Sequence, residues 1–481
     1  MAKLILQILL LFKDKGFIYD SIRILSYGEV RERVVRVTNY LNKLSNERQV
    51  KIALIATNSI DWIICFLAIL ISKHHLVLIS PYLTTSKIKK AVMDSNVDII
   101  ITSKDFNIDM FPLCHRVFRI NYISNISSNN ERNGLKKSLD ESILENQETN
   151  FSSKGITIIS PRKLSEIRIS KDNINDRLKI LTTKNIFPDF STYVAYLEFT
   201  YNYVICLLLP LIHGCIIRIP EKRSEYSIHA LSRSTNGEQT VIITGRQFEN
   251  LYKKFIEDPR NIFSNLLKYF HLWIIRKRIL KNRLKKEFPN LRMLIILNSR
   301  FSLSIERTLK LLKFPFTITY GTVETSGIAS FSLPNEFVVR SCGQPLFPSE
   351  VSYYKDDSLF ITNNNLFFIG RNNEYIRIRN SKGEEVLISR SSEDILRHLP
   401  FVDDCILIED NNNIHLFITL DYKLVEEVNI SRDDIKQLLK DSINRLNRSK
   451  VIQWYIHSIV IVDGDFRRDS YDRILSEHCL I

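Results

Sequence analysis

Residues 51–102 read KIALIATNSIDWIICFLAILISKHHLVLISPYLTTSKIKKAVMDSNVDIIIT. Residues 51–56 are a short run of branched and small apolar residues ending at Thr57-Asn58, with the length and composition of a buried strand. Residues 59–72 are apolar almost throughout and too long for a strand. Asn58 or Ser59 stands where a helix needs a side-chain acceptor for its first free N–H groups. Residues 76–79 predict a second strand, Thr84 or Thr85 caps a helix over 86–93, and 98–102 predict a third strand. Strands separated by helices cannot pair as hairpins, so this βαβαβ order predicts a parallel sheet with helices packed on it.

The alternation resumes downstream. Residues 195–220 read as an apolar helix ending near His213-Gly214, followed by a strand. Strands are predicted over 240–244, 291–297 and 316–320, with helices over 247–256 and 304–312 between them, giving a second βα layer. Residues 121–154 are rich in Asn, Ser and charge and read as a loop or partly disordered insert. The opening MAKLILQILLLFKDKG lacks a small-residue cleavage site, and its apolar run over 4–12 is too short to span a bilayer, so it reads as an amphipathic helix.

Composition narrows the functional classes. At 481 residues, with 44% hydrophobic and 25% charged residues, the chain is a multi-domain globular protein. Its 13 glycines are well below the usual share of about 7%, which argues against several glycine-lined phosphate loops. The seven cysteines are odd in number and show no paired spacing, so neither a disulfide framework nor a zinc site is expected, and a reducing, cytoplasmic setting is. The net charge of +14 peaks between Arg276 and Lys286, RKRILKNRLKK, a basic helix with Ile279, Leu280 and Leu284 on its apolar side. A solvated helix face, an anionic membrane surface and nucleic acid are the readings of that run, in that order; no nucleic-acid motif accompanies it, and nucleic acid is not expected as a partner.

A second stretch carries chemistry: an apolar run ending in Tyr320-Gly321-Thr322-Val323-Glu324-Thr325. It resembles the Tyr-Gly-x-Thr-Glu signature of the adenylate-forming superfamily, and other landmarks agree in order and spacing. They are Ser26-Tyr27-Gly28-Glu29-Val30, Ser80-Pro81-Tyr82-Leu83-Thr84, Arg340-Ser341-Cys342-Gly343-Gln344-Pro345-Leu346 and Gly370-Arg371-Asn372-Asn373-Glu374. Phe314-Pro315-Phe316-Thr317 and the basic helical insert are similar to the long-chain fatty acid–CoA ligase branch.

The resemblance implies an α/β fold. It has a large amino-terminal domain, 1–368, of doubly wound α/β subdomains plus a small β-barrel-like part, with inserts at 121–154 and 257–290. A small, mobile α+β carboxy-terminal domain covers 369–481. It further implies two half-reactions. A carboxylate attacks the α-phosphate of ATP to give acyl-AMP and pyrophosphate, and the thiol of coenzyme A or a carrier protein then takes the acyl group. By the same resemblance Tyr320 stacks on adenine, Gly321 and Gly343 line the nucleotide, Arg371 contacts ribose, and Glu324 holds Mg²⁺ that offsets phosphate charge. The hydroxyl for the α-phosphate falls to Thr322, because Val323 fills the signature's Thr slot. Arg473, in Phe466–Leu475, stands in the slot of the family's Lys or is a surface arginine near the end of the sequence.

Several expected pieces differ. The phosphate loop should fall within 156–173, ITIISPRKLSEIRISKDN, yet no glycine occurs there and Pro161 lacks an N–H donor. Ser299-Arg300-Phe301-Ser302 stands near the family's glycine-rich adenine wall, in this register or one shifted by a residue or two. The stretch between Gly343 and Gly370 is short, so the segment with the ribose-binding Asp is expected to be deleted, and Asp356-Asp357 reads as a turn. The expected function is therefore a long-chain acid–thiol ligase with impaired adenylation. The alternative is a catalytically inactive relative that binds an acyl chain, a carrier or another partner. Peripheral contact with an anionic membrane is compatible with both.

Overall fold

A computed structural model describes residues 2–19, 23–104, 106, 111, 116–125, 155–161, 164–220, 225–235, 237–257, 273–297, 302–347, 357–371, 375–379, 385–389, 393–396, 399–428, 430–448 and 456–463. The chain divides into two compact units, Met1–Phe347 and Pro348–Ile481.

The larger unit holds two sheets. Strands β1 (Gly16–Tyr19) and β2 (Ile24–Ser26) belong to one of them; the other is built from β3 (Lys51–Ile55), β4 (His75–Leu78), β5 (Ile99–Thr102), β6 (Val117–Arg119), β7 (Ile156–Ile159) and β8 (Glu166–Ile169). The order in that second sheet is β6-β5-β3-β4-β7-β8, parallel except for the edge strand β8. The parallel reading of 51–102 is thus the fold of this segment. The helix Ile60–Ile71 is buried along its whole length and Ser59 caps it, accepting from the Trp62 N–H at 3.1 Å. Thr84 caps the helix Thr85–Asp94 in the same way. Burial on all sides explains why residues 59–72 show no polar face.

The first sheet continues with β9 (Thr192–Ala195), β10 (Ile216–Arg218), β11 (Gln239–Ile243), β12 (Leu291–Leu297) and β13 (Phe316–Thr319). Its order is β13-β12-β11-β9-β10-β1-β2, again parallel with one antiparallel edge strand, β2. Between β9 and β10 the chain is helical but irregular: Phe199–Tyr203, a π-helical turn Val204–Leu208, then Leu209–Ile212, with Asn202 off helical geometry. Asn58 ties the two sheets: its amide donates to the Leu197 carbonyl at 2.6 Å and its side-chain oxygen accepts from the Phe199 N–H at 3.0 Å.

Two short strands, β14 (Ser330–Phe331) and β15 (Gln344–Pro345), pair with each other alone. The barrel-like part expected from the resemblance therefore does not close among the described residues. Strands of two residues cannot supply the tilt and stagger that a ring requires.

The smaller unit is α+β. It contains hairpins β16 (Asp357–Thr362) with β17 (Asn365–Arg371) and β18 (Tyr375–Arg379) with β19 (Glu385–Ser389). Strands β20 (Val402–Asp410), β21 (Asn413–Leu420) and β22 (Ser458–Ile461) form its three-stranded sheet. Leu407, Leu416 and Ile418 of that sheet bury against Ile435 and Leu439 of the helix Arg432–Arg448.

Candidate functional site

Strand β13 delivers the signature segment. Tyr320 follows it directly and is buried, 5% exposed. Its N–H donates to Ser330 Oγ at 3.0 Å, and its carbonyl accepts from the N–H groups of Ala329 (2.7 Å) and Ser330 (3.1 Å). The Ser330 hydroxyl in turn donates to the Cys342 carbonyl. One serine thus holds Tyr320 beside the Cys342-Gly343 loop, so two landmarks that lie far apart in sequence meet in space.

Glycine is required at Gly321 by contact and at Gly343 by conformation as well. A Cβ on Gly321 would lie 2.2 Å from the Gly327 carbonyl oxygen. Gly343 has φ +86°, and a Cβ there would lie 2.7 Å from the Phe331 carbonyl carbon.

Residues 322–327 close on themselves. The Thr322 carbonyl accepts from the Thr325 N–H (3.2 Å) and the Gly327 N–H (2.9 Å), and the Thr322 N–H donates to Thr325 Oγ1 (2.8 Å). The hydroxyl of Thr325 is thereby engaged in the turn. Thr322 Oγ1 is buried and has no hydrogen-bond partner among the described residues, an uncommon state for such an atom. Val323 is 7% exposed, whereas the Glu324 carboxylate reaches solvent. The turn therefore offers an accessible carboxylate and a secluded hydroxyl two residues apart.

Beneath the turn lies the helix Lys171–Thr183, capped by Ser170. Asn173 Oδ1 accepts from Ser326 Oγ at 3.1 Å and from Arg177 Nε at 3.1 Å. Arg177 is fully buried (0% exposed); its Nη1 donates to the Ile328 carbonyl at 3.1 Å, and its guanidinium carbon stands 5.1 Å from the Phe347 ring centre. Tyr203 donates to Ser326 Oγ at 3.4 Å, and burial pushes its phenol well above the usual range. Ser330, Ser326 and Arg177 were not foreseen, and Asn173 was expected only as part of a helix entry, Lys171-Asp172-Asn173, similar to the family's. The sole sequence signal was Asn173, three residues after a Ser that caps a helix.

The segment expected to hold the phosphate loop is a tight hairpin between β7 and β8. The Ser160 N–H donates to the Ser165 carbonyl and the Leu164 N–H donates to the Ser160 carbonyl, each at 3.0 Å. Leu164 carries φ +52° where a glycine would be unstrained.

In the smaller unit Arg371 ends β17, and the register sets Asp357 directly opposite it. Asp357, read in the sequence as a turn residue, is the first residue of β16. Arg473, Arg162, Lys163, Ser299, Arg300 and Phe301 lie outside the described residues. Ser302 follows them; its N–H donates to Glu249 Oε2 at 3.3 Å.

Other candidates are structural. His213 Nδ1 lies 2.9 Å from Asp189 Oδ1, while Cys215 faces Ser191 Oγ at 3.5 Å instead of the imidazole. Burial pushes the Cys215 thiol up to about 12, which makes it a poor nucleophile. Among the described residues no cluster of three or more metal-ligating side chains occurs, and no helix is long and apolar enough to cross a membrane. The basic helix, Trp273–Glu287, buries Leu280 and Leu284, and Arg278, Lys281, Lys285 and Lys286 point to solvent.

Comparison with known proteins places this architecture. Residues 11–174 match the family model described as AMP-binding enzyme. The o-succinylbenzoate coenzyme A synthetase of Bacillus subtilis, solved with AMP, superimposes with a TM-score of 0.72 at 11% identity, covering 99% of this chain and 98% of that one. A benzoate CoA ligase from Burkholderia xenovorans gives 0.65 at 13% identity, with 99% of each chain covered. The fatty acyl CoA synthetase of Mycobacterium tuberculosis gives 0.61 at 10% identity, with 99% and 97% covered. No curated protein sequence matches. The fold of the chain is that of the adenylate-forming enzymes, with a large amino-terminal and a smaller carboxy-terminal unit, and its structural neighbours are CoA ligases.

Proposed function

We propose that the whole chain is an acid–thiol ligase of the adenylate-forming type, directed at a long-chain fatty or other carboxylic acid, in which the adenylation step is impaired. Tyr320 and Gly321 would face the nucleotide base, the Thr322 hydroxyl would donate to an α-phosphate oxygen, and the exposed Glu324 carboxylate would take Mg²⁺. The open position of Glu324 suits its role, and the Thr322 hydroxyl, unpartnered among the described residues, would have to be uncovered to serve its own. Arg371 keeps its ribose role, and Arg473 the role of the family's Lys, on resemblance alone. The acyl acceptor would be coenzyme A or a carrier thiol.

The β7–β8 hairpin carries the impaired reading. A loop that cradles the β- and γ-phosphates presents several free N–H groups, often on glycines. In this hairpin two amides are already engaged, Pro161 has none to give, and no glycine stands between Ile156 and Asn173. Tyr320, Gly321, Glu324, Gly343 and Arg371 of the nucleotide motifs are kept, the signature Thr and the adenine-wall glycines are altered, and the loop for the outer phosphates is the largest loss. Loss of one such donor costs roughly 10²–10³ in rate, about 3–4 kcal/mol. The same observation favours the inactive alternative, a protein that binds an acyl chain, an acyl-adenylate or a carrier without turnover.

Calorimetry with ATP-Mg²⁺, AMP and a non-hydrolysable acyl-AMP mimic separates the readings, run alongside a pyrophosphate-release assay with carboxylates of varied length. The expected outcome is binding of AMP or the mimic, weakened by Thr322→Val, with slow pyrophosphate release or none. Rapid release abolished by Glu324→Gln would refute impairment; no heat with any adenine nucleotide would refute the ligase site itself.

A further inference from the structure

The helix Ala2–Leu11 is apolar on more than one side. Ile5, Leu6, Ile8 and Leu9 are buried, yet Leu4 is 44%, Leu10 51% and Leu11 73% exposed. A helix whose only task is to cover a core places polar residues outward. Here the outward stripe is Lys3, Leu4, Gln7, Leu10 and Leu11.

The stripe continues onto a strained aromatic. Phe12 follows the helix and packs edge-on against Phe190, ring centres 5.3 Å apart. Phe190 sits at φ +60°, a conformation a bulky residue rarely adopts, and is nevertheless 51% exposed. Such strain tends to persist at functional positions. Lys15 Nζ lies 5.2 Å from the centre of the Phe190 ring, and Lys13 is exposed beside it. The acids nearby are Asp14, exposed between the two lysines, and Asp189, which is engaged by His213.

We infer that Leu4, Leu10, Leu11 and Phe190 form a docking edge for an anionic phospholipid surface, with Lys3, Lys13 and Lys15 as its charged rim. Apolar side chains enter the boundary between headgroups and acyl chains while lysines meet lipid phosphate, as in helices that lie on membranes. Charge selects this occupant over a second copy of the chain. Two copies would bring these lysines together, and each carries a net charge of +14. The site differs from the run between Arg276 and Lys286. That helix keeps Leu280 and Leu284 in the core at 8% and 1% exposure, so these two leucines are not offered to a membrane.

The test is co-sedimentation of the full chain with phosphatidylglycerol–phosphatidylcholine vesicles and with pure phosphatidylcholine vesicles. Binding is expected to the anionic vesicles only and to weaken as salt rises. The double variant Leu10→Gln/Leu11→Gln should lose about tenfold or more in vesicle affinity. Both side chains are at least half exposed, so the fold should be kept, with an unchanged circular dichroism melt as the check. Phe190→Asn, which tolerates the left-handed backbone, should weaken binding with stability kept or raised. Binding that ignores these variants and follows Lys281→Gln/Lys285→Gln instead would overturn the proposal. So would a dimer in light scattering that Leu10→Gln/Leu11→Gln converts to monomer.

Discussion

Arg177 is the group whose replacement tests most sharply how the signature turn is held. In Arg177→Met the Ile328 carbonyl loses its charged donor, and the ring of Phe347 loses a cation at 5.1 Å. Asn173 Oδ1 keeps the Ser326 hydroxyl, so it is not orphaned. A buried carbonyl left unpaired costs about 1–3 kcal/mol, and a desolvated cation–π contact about 2 kcal/mol. Against this, methionine relieves the desolvation of a fully buried guanidinium, worth several kcal/mol before pairing. The net expectation is a loss of at most about 2 kcal/mol. Arg177→Lys should be worse, by about a further 1 kcal/mol, because it keeps a charge to bury while lacking the planar fork that serves two acceptors.

Two compact units make a single global unfolding energy ambiguous, so the decisive assay is local. Amide hydrogen exchange of Ala329 and Ser330, both bonded to the Tyr320 carbonyl, should speed up about tenfold or more in Met and further in Lys. Urea denaturation should show the same order. A Lys variant as protected as the parent, or a Met variant more protected, would refute the account of Arg177 as the tie between the helix Lys171–Thr183 and the turn.

Further outcomes follow from the same geometry. Gly343→Ala combines a left-handed backbone with a Cβ 2.7 Å from the Phe331 carbonyl carbon; it should cost about 3 kcal/mol in chemical denaturation, and a neutral result would contradict the close packing of that loop. His74 lines a cavity of about 20 Å³ together with Gln49, Lys73 and Lys171, and burial, aided by Lys73 and opposed by Glu47, lowers its pKa to about 4. The folded protein thus resists a proton that the unfolded chain accepts near pH 6.5. Its stability contribution is complete above that pH, and falls as pH drops towards 4, by at most about 3 kcal/mol. His74→Leu should flatten urea-unfolding energies across pH 4.5–6.5; an unchanged slope would assign the pH dependence to other groups.

Much of the larger unit could be read from local signals. Residues 51–102 declare themselves because each helix there has its own cap, Ser59 or Thr84, and each strand is a short run bounded by polar residues. β9 was missed, with the predicted helix starting at Ala195, because Thr192–Ala195 runs into the apolar stretch 195–212 with no glycine to separate them. The π turn at Val204–Leu208 was equally hidden, since nothing in a uniform apolar run marks one extra residue per turn. In the site, Tyr320, Gly321 and Gly343 were legible as a motif. Ser330 and Arg177 were not, because their partners are backbone carbonyls distant in sequence, and a carbonyl has no letter. Asp357 was hidden for a related reason. Its opposition to Arg371 depends on where the chain reverses, and the turn at Asn363 and Asn364 uses two asparagines at positive φ in place of glycine.

The closed turn between β7 and β8 also bears on time as well as affinity. Where free N–H groups of a loop receive a polyanion, their amide exchange reports the ligand. At Ser160 and Leu164 the amides are already paired within the chain. Their exchange is then governed by how often the hairpin itself opens, and should be the same with and without nucleotide. Unchanged protection of these two amides on adding nucleotide is the expected outcome, and a rise would show the hairpin taking part in capture.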